Sequence, residues 1–455
     1  MAEALAEDDE ELDHARVDAV LEAVSAGDAA RVTALLEPLH AADIADLLEQ
    51  IGAADRDALL ALWSGEFDGD VLSELSDAIR EDVIDALPRK VVADALRELE
   101  SDDLVDIVED MDASDQGKLL DAMDAADRVA VEQALAWPED SAGRLMQREV
   151  VVAPEHWTVG ETIDFLRGAE HLPDQFYHVI LVDPLTAPKG YVTLGRMLSS
   201  RREAKLAEIL EDSFRTVEAT EPEADVAYIF NQYHLISCPV VDGAGKLVGV
   251  ITIDDAMNVL DEGHQEDMLR LAGVGGESSL SDRVLETARR RLPWLFVNLL
   301  TAILASLVIA QFEVAISQLV ALAVLMPIVA SMGGNAGTQS LTVAVRALAT
   351  RDLTGANVVR VIWRETAVGL INGIFFAVVM GLVSWVWFGD GLLGLVIGAA
   401  MVINLVVAGM AGILIPVVME RTGVDPALAS GTFVTTVTDV VGFFVFLGLA
   451  SVVLL

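Results

Sequence analysis

Five long apolar stretches occupy the last third of the chain. They cover residues 295–312, 314–332 with a weaker continuation to 348, 366–388, 392–419 and 427–455. Each is long enough for the roughly 20 residues of helix that cross the hydrocarbon core of a bilayer. The pattern therefore predicts a membrane domain of five helical spans over residues 292–455.

The short segments between these stretches carry charges of different sign. Arginines stand before the first stretch, between the second and third, and between the fourth and fifth, whereas the other two connections hold Glu313 and Asp390. Cytoplasmic loops are enriched in Lys and Arg, so the first set is predicted to be cytoplasmic. The chain is thus expected to lie in the cell membrane with its N-terminus in the cytoplasm and its C-terminus outside.

Residues 14–136 show a second pattern, in which apolar positions recur at helical spacing between acid-rich turns. The stretch "LHAADIADLLEQIGAADRDALLALW" is typical of it. No strand pattern interrupts the series, which predicts short helices stacked in an all-α superhelical domain. The acidic residues 1–13 before it are predicted to be a disordered tail, and they lack the basic and apolar regions of a signal peptide.

A third pattern begins near residue 150. Two segments about 60 residues apart share the order strand, helix, strand, turn, strand, helix, which indicates an internal pair. We expect an α/β pair with one domain over residues 137–200 and another over 201–261. A connecting helix over residues 262–291 is expected to join this pair to the membrane domain.

Charge is distributed very unevenly between these parts. The chain has 72 acidic and 29 basic residues and a net charge of −43, yet residues 292–455 hold only seven of the acids. Such an acidic surface repels nucleic acid and attracts cations. An acidic surface is also typical of proteins from salt-saturated cytoplasms. The hypothesis of a halophilic source explains most of these charges without assigning them a ligand. The single cysteine, Cys238, excludes an intrachain disulfide and a multi-cysteine metal site.

One carboxylate lies inside the last apolar stretch, in "FVTTVTDVVGFFVFLGLASVVLL". An aspartate near the centre of a membrane helix costs roughly 2.5 to 3.5 kcal/mol on an insertion scale, and such residues usually face a pore, a partner or an ion. Asp439 therefore needs either an ion or a neighbour. The alternatives are an arginine partner on another helix or a protonated carboxyl in packing.

The stretch "PIVASMGGNAGTQS" raises a similar question in the second span. Pro327 removes a helical hydrogen bond, and the glycines that follow allow either unwinding or close helix packing. If the segment unwinds, its carbonyls and the amides of Asn335 and Gln339 would line an aqueous path. Spacing alone leaves both alternatives open.

These segments resemble a known family. "PVVDGAGKLVGVITIDD" looks like a CBS domain, and "WPEDSAGRLM" is similar to the junction before the CBS pair in the MgtE family of magnesium channels and transporters. "PIVASMGGNAGTQS" and "GVDPALASGTFVTTVTDVVG" resemble the membrane signatures of that family. The similarity follows nearly the whole chain in order, and it implies a magnesium-selective homodimer whose N-domain and CBS pair sense intracellular Mg²⁺ and close the pore.

The resemblance also implies the residues of the pore. In a two-fold dimer, Asp439 would face its symmetry mate and give two carboxylates to one hydrated Mg²⁺. The other expected pore residues are Asn335, Gln339, Thr435, Thr438 and Asp425. Thr hydroxyls in membrane helices more often bond their own backbone, and Asp425 before Pro426 is also a plain helix cap. An oxygen-lined site suits Co²⁺ and Mn²⁺ as well as Mg²⁺.

The resemblance further implies a set of acids that sense Mg²⁺ on the cytoplasmic side. They are Asp70, Asp102 and Asp106 in the helical domain, and Asp255, Glu266 and Asp267 near the connecting helix. Asn258, Gly263 and His234 stand where the family tends to hold acids. For any single one of these acids, a solvated surface position without ion binding remains the simpler interpretation.

CBS pairs often bind adenosine nucleotides, so ATP is a candidate ligand. Thr252 and Asp254 stand where a CBS cleft contacts ribose, although the same residues cap the next helix in any CBS fold. The alternative to a transporter is a membrane-anchored CBS sensor without transport. An enzyme is not expected, since all seven histidines precede the membrane domain and form no catalytic arrangement.

Overall fold

The chain divides into two compact units, Met1–Gly263 and His264–Leu455. The computed structural model describes residues 12–63, 67–109, 111, 113–121, 123, 125–169, 172–173, 176–212, 214–274 and 284–455. Most of the tail predicted over residues 1–13, and residues 275–283 of the predicted connecting helix, lie outside these described residues.

The first unit begins with a series of short helices. They are α1 His14–Ala26, α2 Ala29–Leu36, α3 Ala41–Gln50, α4 Ala53–Trp63, α5 Asp70–Ser73, α6 Asp77–Ala86, α7 Arg89–Ala95, α8 Ser101–Glu109, α9 Ala113–Leu120 and α10 Ala125–Ala134. Acids in the turns start several of them. The side chain of Asp13 accepts a hydrogen bond from the backbone N–H of Arg16 at 2.7 Å, and Asp28 caps α2 in the same way. The predicted all-α domain is confirmed.

Leucines at helical spacing form the core of these helices. Leu36, Leu47, Leu48, Leu59 and Leu60 are almost completely buried. Burying one such side chain stabilises the fold by about 1.5 to 3 kcal/mol relative to leaving it in water. The spacing of the leucines therefore determines which face of each helix points inward.

Two three-stranded sheets follow in the same unit. Their elements are α11 Ala142–Leu145, β1 Val152–Pro154, α12 Val159–Gly168, β2 His178–Val182, β3 Pro188–Thr193, α13 Leu194–Ser199, β4 Val217–Glu218, α14 Glu223–Tyr233, β5 Ser237–Val241, β6 Leu247–Thr252 and α15 Ile253–Leu271. In each sheet the first two strands are parallel and the last two antiparallel. Both antiparallel pairs carry an irregularity at the same relative position, so the predicted internal pair is confirmed.

The segments that precede each sheet pack against the other one. Gln147 and Val250 exchange two backbone hydrogen bonds of 2.9 Å, which attach residues 141–147 to the second sheet. The backbone N–H of Leu206 donates to Trp157 at 2.9 Å, which attaches residues after α13 to the first module. The two modules therefore exchange their leading segments.

The second unit consists of long apolar helices. They are α16 Val284–Ala310, α17 Glu313–Gln318, α18 Ala321–Ala349, α19 Val358–Phe388, α20 Gly391–Arg421 and α21 Pro426–Val453. All except α17 are long and apolar enough to cross a membrane. The prediction of one continuous helical span beginning at residue 314 is wrong in one respect. The backbone breaks at Leu319, which separates the short α17 from α18.

Within this unit α20 is the most buried helix, and it packs against α18, α19 and α21. Helix α16 is almost entirely exposed and packs mainly against α21. Small residues allow the close contacts, as at Gly369, where a Cβ would clash with the carbonyl oxygen of Leu405. Because lipid tails are as apolar as leucine, the exposed faces of α16 and α19 suit a bilayer.

Candidate metal sites

Helix α18 presents one polar face along most of a membrane span. The exposed polar side chains on this face are Ser331, Asn335, Thr338, Gln339, Thr342 and Arg346. Their spacing of three, four, seven and eight residues places them on one side of the helix. The predicted pore residues Asn335 and Gln339 thus belong to a longer polar stripe, which we call the α18 polar face.

The opposite side of α18 packs closely against its neighbours. Helix α18 is continuous through Pro327, so the unwinding alternative is not found. Gly333 and Gly337 are buried, and a side chain at either position would clash with a residue of α20 or α21. The glycines therefore allow close helix packing. The amides of Asn335 and Gln339 belong to a helix that is not unwound.

Asp439 lies on α21 and is partly buried. Neither an ion pair with an arginine nor a hydrogen bond to its carboxylate is found among the described residues. The alternative of an arginine partner is therefore not supported within this part of the chain. A carboxylate at this depth still needs a compensating charge or proton.

The two predicted threonines bond within their own helix. Thr435 Oγ1 donates to the carbonyl oxygens of Gly431 and Thr432, both at 3.0 Å, and Thr438 Oγ1 donates to Thr435 at 3.0 Å. Thr438 is completely buried, and its Cγ2 packs near Gly337. These contacts account for both hydroxyl protons within α21.

Asp425 lies at the start of α21 and has two partners. Its Oδ1 accepts a hydrogen bond from the backbone N–H of Ala427 at 2.8 Å, as expected of a helix cap before Pro426. Its Oδ2 pairs with Arg270 Nη1 at 2.8 Å, and Arg270 Nη2 pairs with Glu266 at 2.9 Å. Burial, followed by the charge of Asp425, raises the pKa of Asp267. The predicted acids Glu266, Asp267 and Asp425 thus surround one guanidinium group.

In the first unit, an open cavity of about 620 Å³ collects acids from the helical domain and from the second of the two sheet modules. Its acidic lining residues are Asp46, Glu49, Glu74, Asp77, Asp102, Asp103, Asp106, Glu109, Asp140, Glu223, Asp255 and Glu262. The basic lining residues in the described chain are Arg80 and Arg144. We call this the acidic cavity. It brings together Asp102, Asp106 and Asp255, which lie far apart in sequence.

Like charges meet at the centre of the acidic cavity. Asp102 is 8% exposed, and burial, followed by the charge of Asp255, raises its pKa well above the ordinary value. Burial, followed by the charge of Asp255, raises the pKa of Asp103 to about 7, and the charge of Asp70 adds to this shift. Burial, followed by the charge of Asp254, raises the pKa of Asp255 to about 7. A bound cation would relieve this repulsion.

Three of the acids in the cavity already pair with an arginine. The guanidinium of Arg80 is buried, and it pairs with Asp106 at 3.2 Å and with Asp77 at 3.3 Å. Arg144 pairs with Glu109. Asp106 therefore differs from Asp102 and Asp255, although all three were predicted as sensors.

Other residues of the acidic cavity were missed by the sequence reasoning. Asp103 is adjacent to Asp102 and on the same cavity, and Glu223 has its pKa raised to about 7, first by burial and then by the charge of Asp140. The run "SDDL" was the available signal for Asp103. In the described residues, no three His, Cys, Asp or Glu side chains are arranged to hold a metal ion directly. Mg²⁺ commonly retains its waters, so such a cavity suits the hydrated ion.

Of the two residues expected at a ribose, Thr252 forms a helix cap with Asp255. Thr252 Oγ1 donates to Asp255 Oδ2 at 2.8 Å, and the backbone N–H of Thr252 approaches the same oxygen at 3.4 Å. Asp254 is exposed in the first turn of α15. This cap orients the carboxylate of Asp255 in the acidic cavity.

Comparison with known proteins gives matches in both units. Three family models match this chain: MgtE, a divalent cation transporter, over residues 326–449, the MgtE intracellular N domain over 39–140, and the CBS domain over 206–262. The chain is 31% identical over 322 residues to the magnesium transporter MgtE of Bacillus subtilis (strain 168), with 71% of each chain covered. It is 34% identical over 330 residues to the magnesium transporter MgtE of Thermus thermophilus, with 72% of this chain and 73% of the relative covered.

A solved structure matches the first part of the chain. It is the crystal structure of the cytosolic domain of the Mg²⁺ channel MgtE in complex with ATP, with a TM-score of 0.50 and 30% identity. The match covers 53% of this chain and 99% of that structure. The helical domain followed by a CBS pair is therefore an arrangement already seen in a solved relative.

Proposed function

Because the chain belongs to the MgtE family of divalent cation transporters, we propose that it carries Mg²⁺ across the cell membrane into the cytoplasm under the control of its cytosolic N and CBS domains. The arginine-rich connections support an orientation with the N-terminus in the cytoplasm, and an odd number of spans would then leave the C-terminus outside. The chain acts as a transporter rather than as an enzyme.

The α18 polar face is the observation that carries this proposal. Six polar side chains are exposed along a helix of membrane-spanning length. The hydroxyls of Thr338 and Thr342 bond their own backbone, but bare lipid contact would leave the Gln339 amide and the Arg346 guanidinium without hydrogen-bond partners. Water in a pore satisfies them, and a two-fold homodimer encloses such a pore between two copies of the chain. Asp439 on α21 then supplies one carboxylate from each subunit to a hydrated Mg²⁺.

The acidic cavity supports a sensor role on the cytosolic side. With Mg²⁺ bound, the helical domain and the second CBS module are held together, because the cation offsets the repulsion among Asp102, Asp103 and Asp255. When internal Mg²⁺ falls, the carboxylates repel each other and this closed state loses stability. We assign pore closure to the Mg²⁺-bound state.

Flux into proteoliposomes tests the function directly. The wild-type chain is expected to pass Mg²⁺ when the compartment facing the cytosolic domains is low in Mg²⁺, and to slow severalfold when that compartment holds about 10 mM Mg²⁺. A fluorescent Mg²⁺ indicator measures the rate, and Co²⁺ and Mn²⁺ are compared in the same vesicles. If no divalent cation moves under either condition, the membrane-anchored CBS sensor becomes the better account.

ATP at the CBS pair is a second part of the proposal. The support is the ATP complex of the related cytosolic domain, together with the position of Thr252 at the end of β6 and of Asp254 in the first turn of α15. Calorimetric titration of ATP into the purified chain and into Asp254→Asn measures whether these residues contact the nucleotide. Equal binding by both proteins would remove Asp254 from the proposed site.

Arg270 links the end of α15 to the start of α21, and we expect it to favour the closed state. Arg270→Gln removes the ion pairs with Asp425 and Glu266, which are partly exposed and contribute up to about 1 kcal/mol. Flux at high internal Mg²⁺ is therefore expected to rise by up to about fivefold. Arg202→Gln, which removes an exposed pair with Asp164, is the matched control. Unchanged or lower flux in Arg270→Gln would contradict this role.

A further inference from the structure

Asn404 is a buried amide in the middle of α20, and none of the predicted sites includes it. The side chain is 0% exposed, and its Nδ2 donates a hydrogen bond of 2.9 Å to the carbonyl oxygen of Val329 on α18. Its Oδ1 has no hydrogen-bond partner among the described residues. An amide is costly at this depth, and polar residues inside spans usually serve a function. Leucine has the same branched arrangement of heavy atoms and would leave no polar side-chain atom unpaired.

Two glycines on neighbouring helices make room for the amide. A Cβ on Gly333 of α18 would clash with Asn404 Nδ2, and a Cβ on Gly442 of α21 would lie 2.8 Å from the same atom. The Oδ1 atom lies farther from these two Cβ positions, at 3.2 and 3.3 Å, so the Nδ2 side of the amide packs against both glycines. One side chain of α20 therefore contacts α18 and α21 together.

These contacts lie next to the groups proposed to line the pore. Gly333 precedes Asn335 by two residues, and Gly442 follows Asp439 by about one helical turn. The distance between the α18 polar face and Asp439 thus depends on how both helices pack around Asn404. Helices α18 and α21 also pack directly against each other, since a Cβ on Gly337 would lie 2.5 Å from Val434 and 3.6 Å from Thr438. Asn404 adds a contact from α20 at the level of Gly333 and Gly442.

We propose that Asn404 is a positioning residue, which holds α18 and α21 at the spacing that lets the α18 polar face and the Asp439 carboxylate act on the same hydrated cation. The inference rests on the proposed pore. Asn404 itself is too deeply buried to touch the ion, so it acts through Val329, Gly333 and Gly442. A shift of one helix by a fraction of an ångström changes how a hydrated ion fits, so selectivity is sensitive to it.

The test compares fluxes of two ions through the wild type and Asn404→Leu in proteoliposomes, normalised to the amount of folded dimer or monomer recovered by size exclusion. We expect the Mg²⁺ flux to fall about tenfold and the ratio of Mg²⁺ to Mn²⁺ flux to change by at least about threefold. A purely structural role would lower both fluxes together and leave their ratio unchanged. Ser384→Ala is the control, since Ser384 on α19 is equally buried and also lacks a hydrogen-bond partner in the described chain.

A second variant pair keeps the inference testable if Asn404→Leu does not fold. Gly442→Ala introduces a methyl group against the amide, and Asn404→Ala removes the amide. If the two substitutions acted independently, the flux of the double variant would fall by the product of the two single losses. We expect its flux to be about tenfold higher than this value, because the residues are in contact. Multiplicative effects, or an unchanged Mg²⁺ to Mn²⁺ ratio in Asn404→Leu, would overturn the inference. A wild type without flux would instead overturn the proposed function.

Discussion

Asp439→Asn is expected to lower Mg²⁺ flux by about 100-fold while the protein still folds. Asn keeps the size and polarity of the side chain but removes the charge, and in a dimer it removes both carboxylates from the proposed ion site. A charge-assisted contact contributes about 1.5 to 3 kcal/mol, and each 1.4 kcal/mol corresponds to about tenfold. Initial rates of Mg²⁺ entry into proteoliposomes at low internal Mg²⁺ measure the effect.

Asp390→Asn is the matched control for this substitution. Asp390 caps α20 by accepting hydrogen bonds from the backbone N–H groups of Leu392 at 2.8 Å and Leu393 at 3.3 Å, and Asn is an equally good cap. Its flux is expected to stay within about twofold of wild type. If Asp439→Asn conducts as well as Asp390→Asn, the carboxylate is a packing residue and the pore lies elsewhere.

Without divalent cations, the acidic cavity is expected to lose stability as the pH rises from about 4 to about 7. Asp103 and Asp255 have a pKa of about 7 in the folded chain, against 3.8 for an ordinary aspartate. Between these values the folded chain keeps protons that the unfolded chain has lost, so the free energy of unfolding falls with pH and levels off above about 7. Partial exposure of the carboxyls and ionic screening make this change smaller than the pKa shifts alone imply. We expect the free energy of unfolding to fall by about 3 kcal/mol between pH 5 and pH 8.

Added Mg²⁺ should act in the opposite direction. Since the cation binds ionised carboxylates, about 10 mM Mg²⁺ is expected to restore stability at pH 8 and to have little effect at pH 5. Hydrogen exchange of the Ser101–Glu109 helix in the detergent-solubilised full chain, corrected for intrinsic exchange rates, measures both effects. The variant Asp103→Asn/Asp255→Asn should flatten the pH profile, whereas exposed Asp57→Asn should not. A profile that rises from pH 5 to pH 8 without Mg²⁺ would contradict the expectation.

The sequence identified the elements of this chain well, because their signals are local. Apolar stretches of membrane length, leucines at helical spacing and the repeated strand pattern each arise from residues that are close together along the chain. Where a local signal was ambiguous, as in the glycines after Pro327, the packing of α18 against α20 and α21 decided in favour of close contact. The break at Leu319 follows the polar pair Ser317 and Gln318, but two polar residues do not by themselves end a helix.

The partners of individual charges were much harder to predict. Asp425 and Arg270 are 155 residues apart, and only the fold shows that they pair. Asp106 was chosen together with Asp102, yet Arg80 pairs with Asp106 and leaves Asp102 beside Asp255. No spacing rule distinguishes two acids four residues apart on the same short helix, because each partner comes from a different helix.

By itself, the sequence determined the membrane spans, the α/β pair, the excess of acidic charge and the isolated Asp439, since each follows from residue type and spacing. The tertiary structure alone decided which carboxylates share the acidic cavity, which are neutralised by Arg80, Arg144 and Arg270, and how Asn404 fits between Gly333 and Gly442. Hydrophobic periodicity is a property of one segment, whereas electrostatic repulsion and close packing depend on distances between segments that only the folded chain brings together.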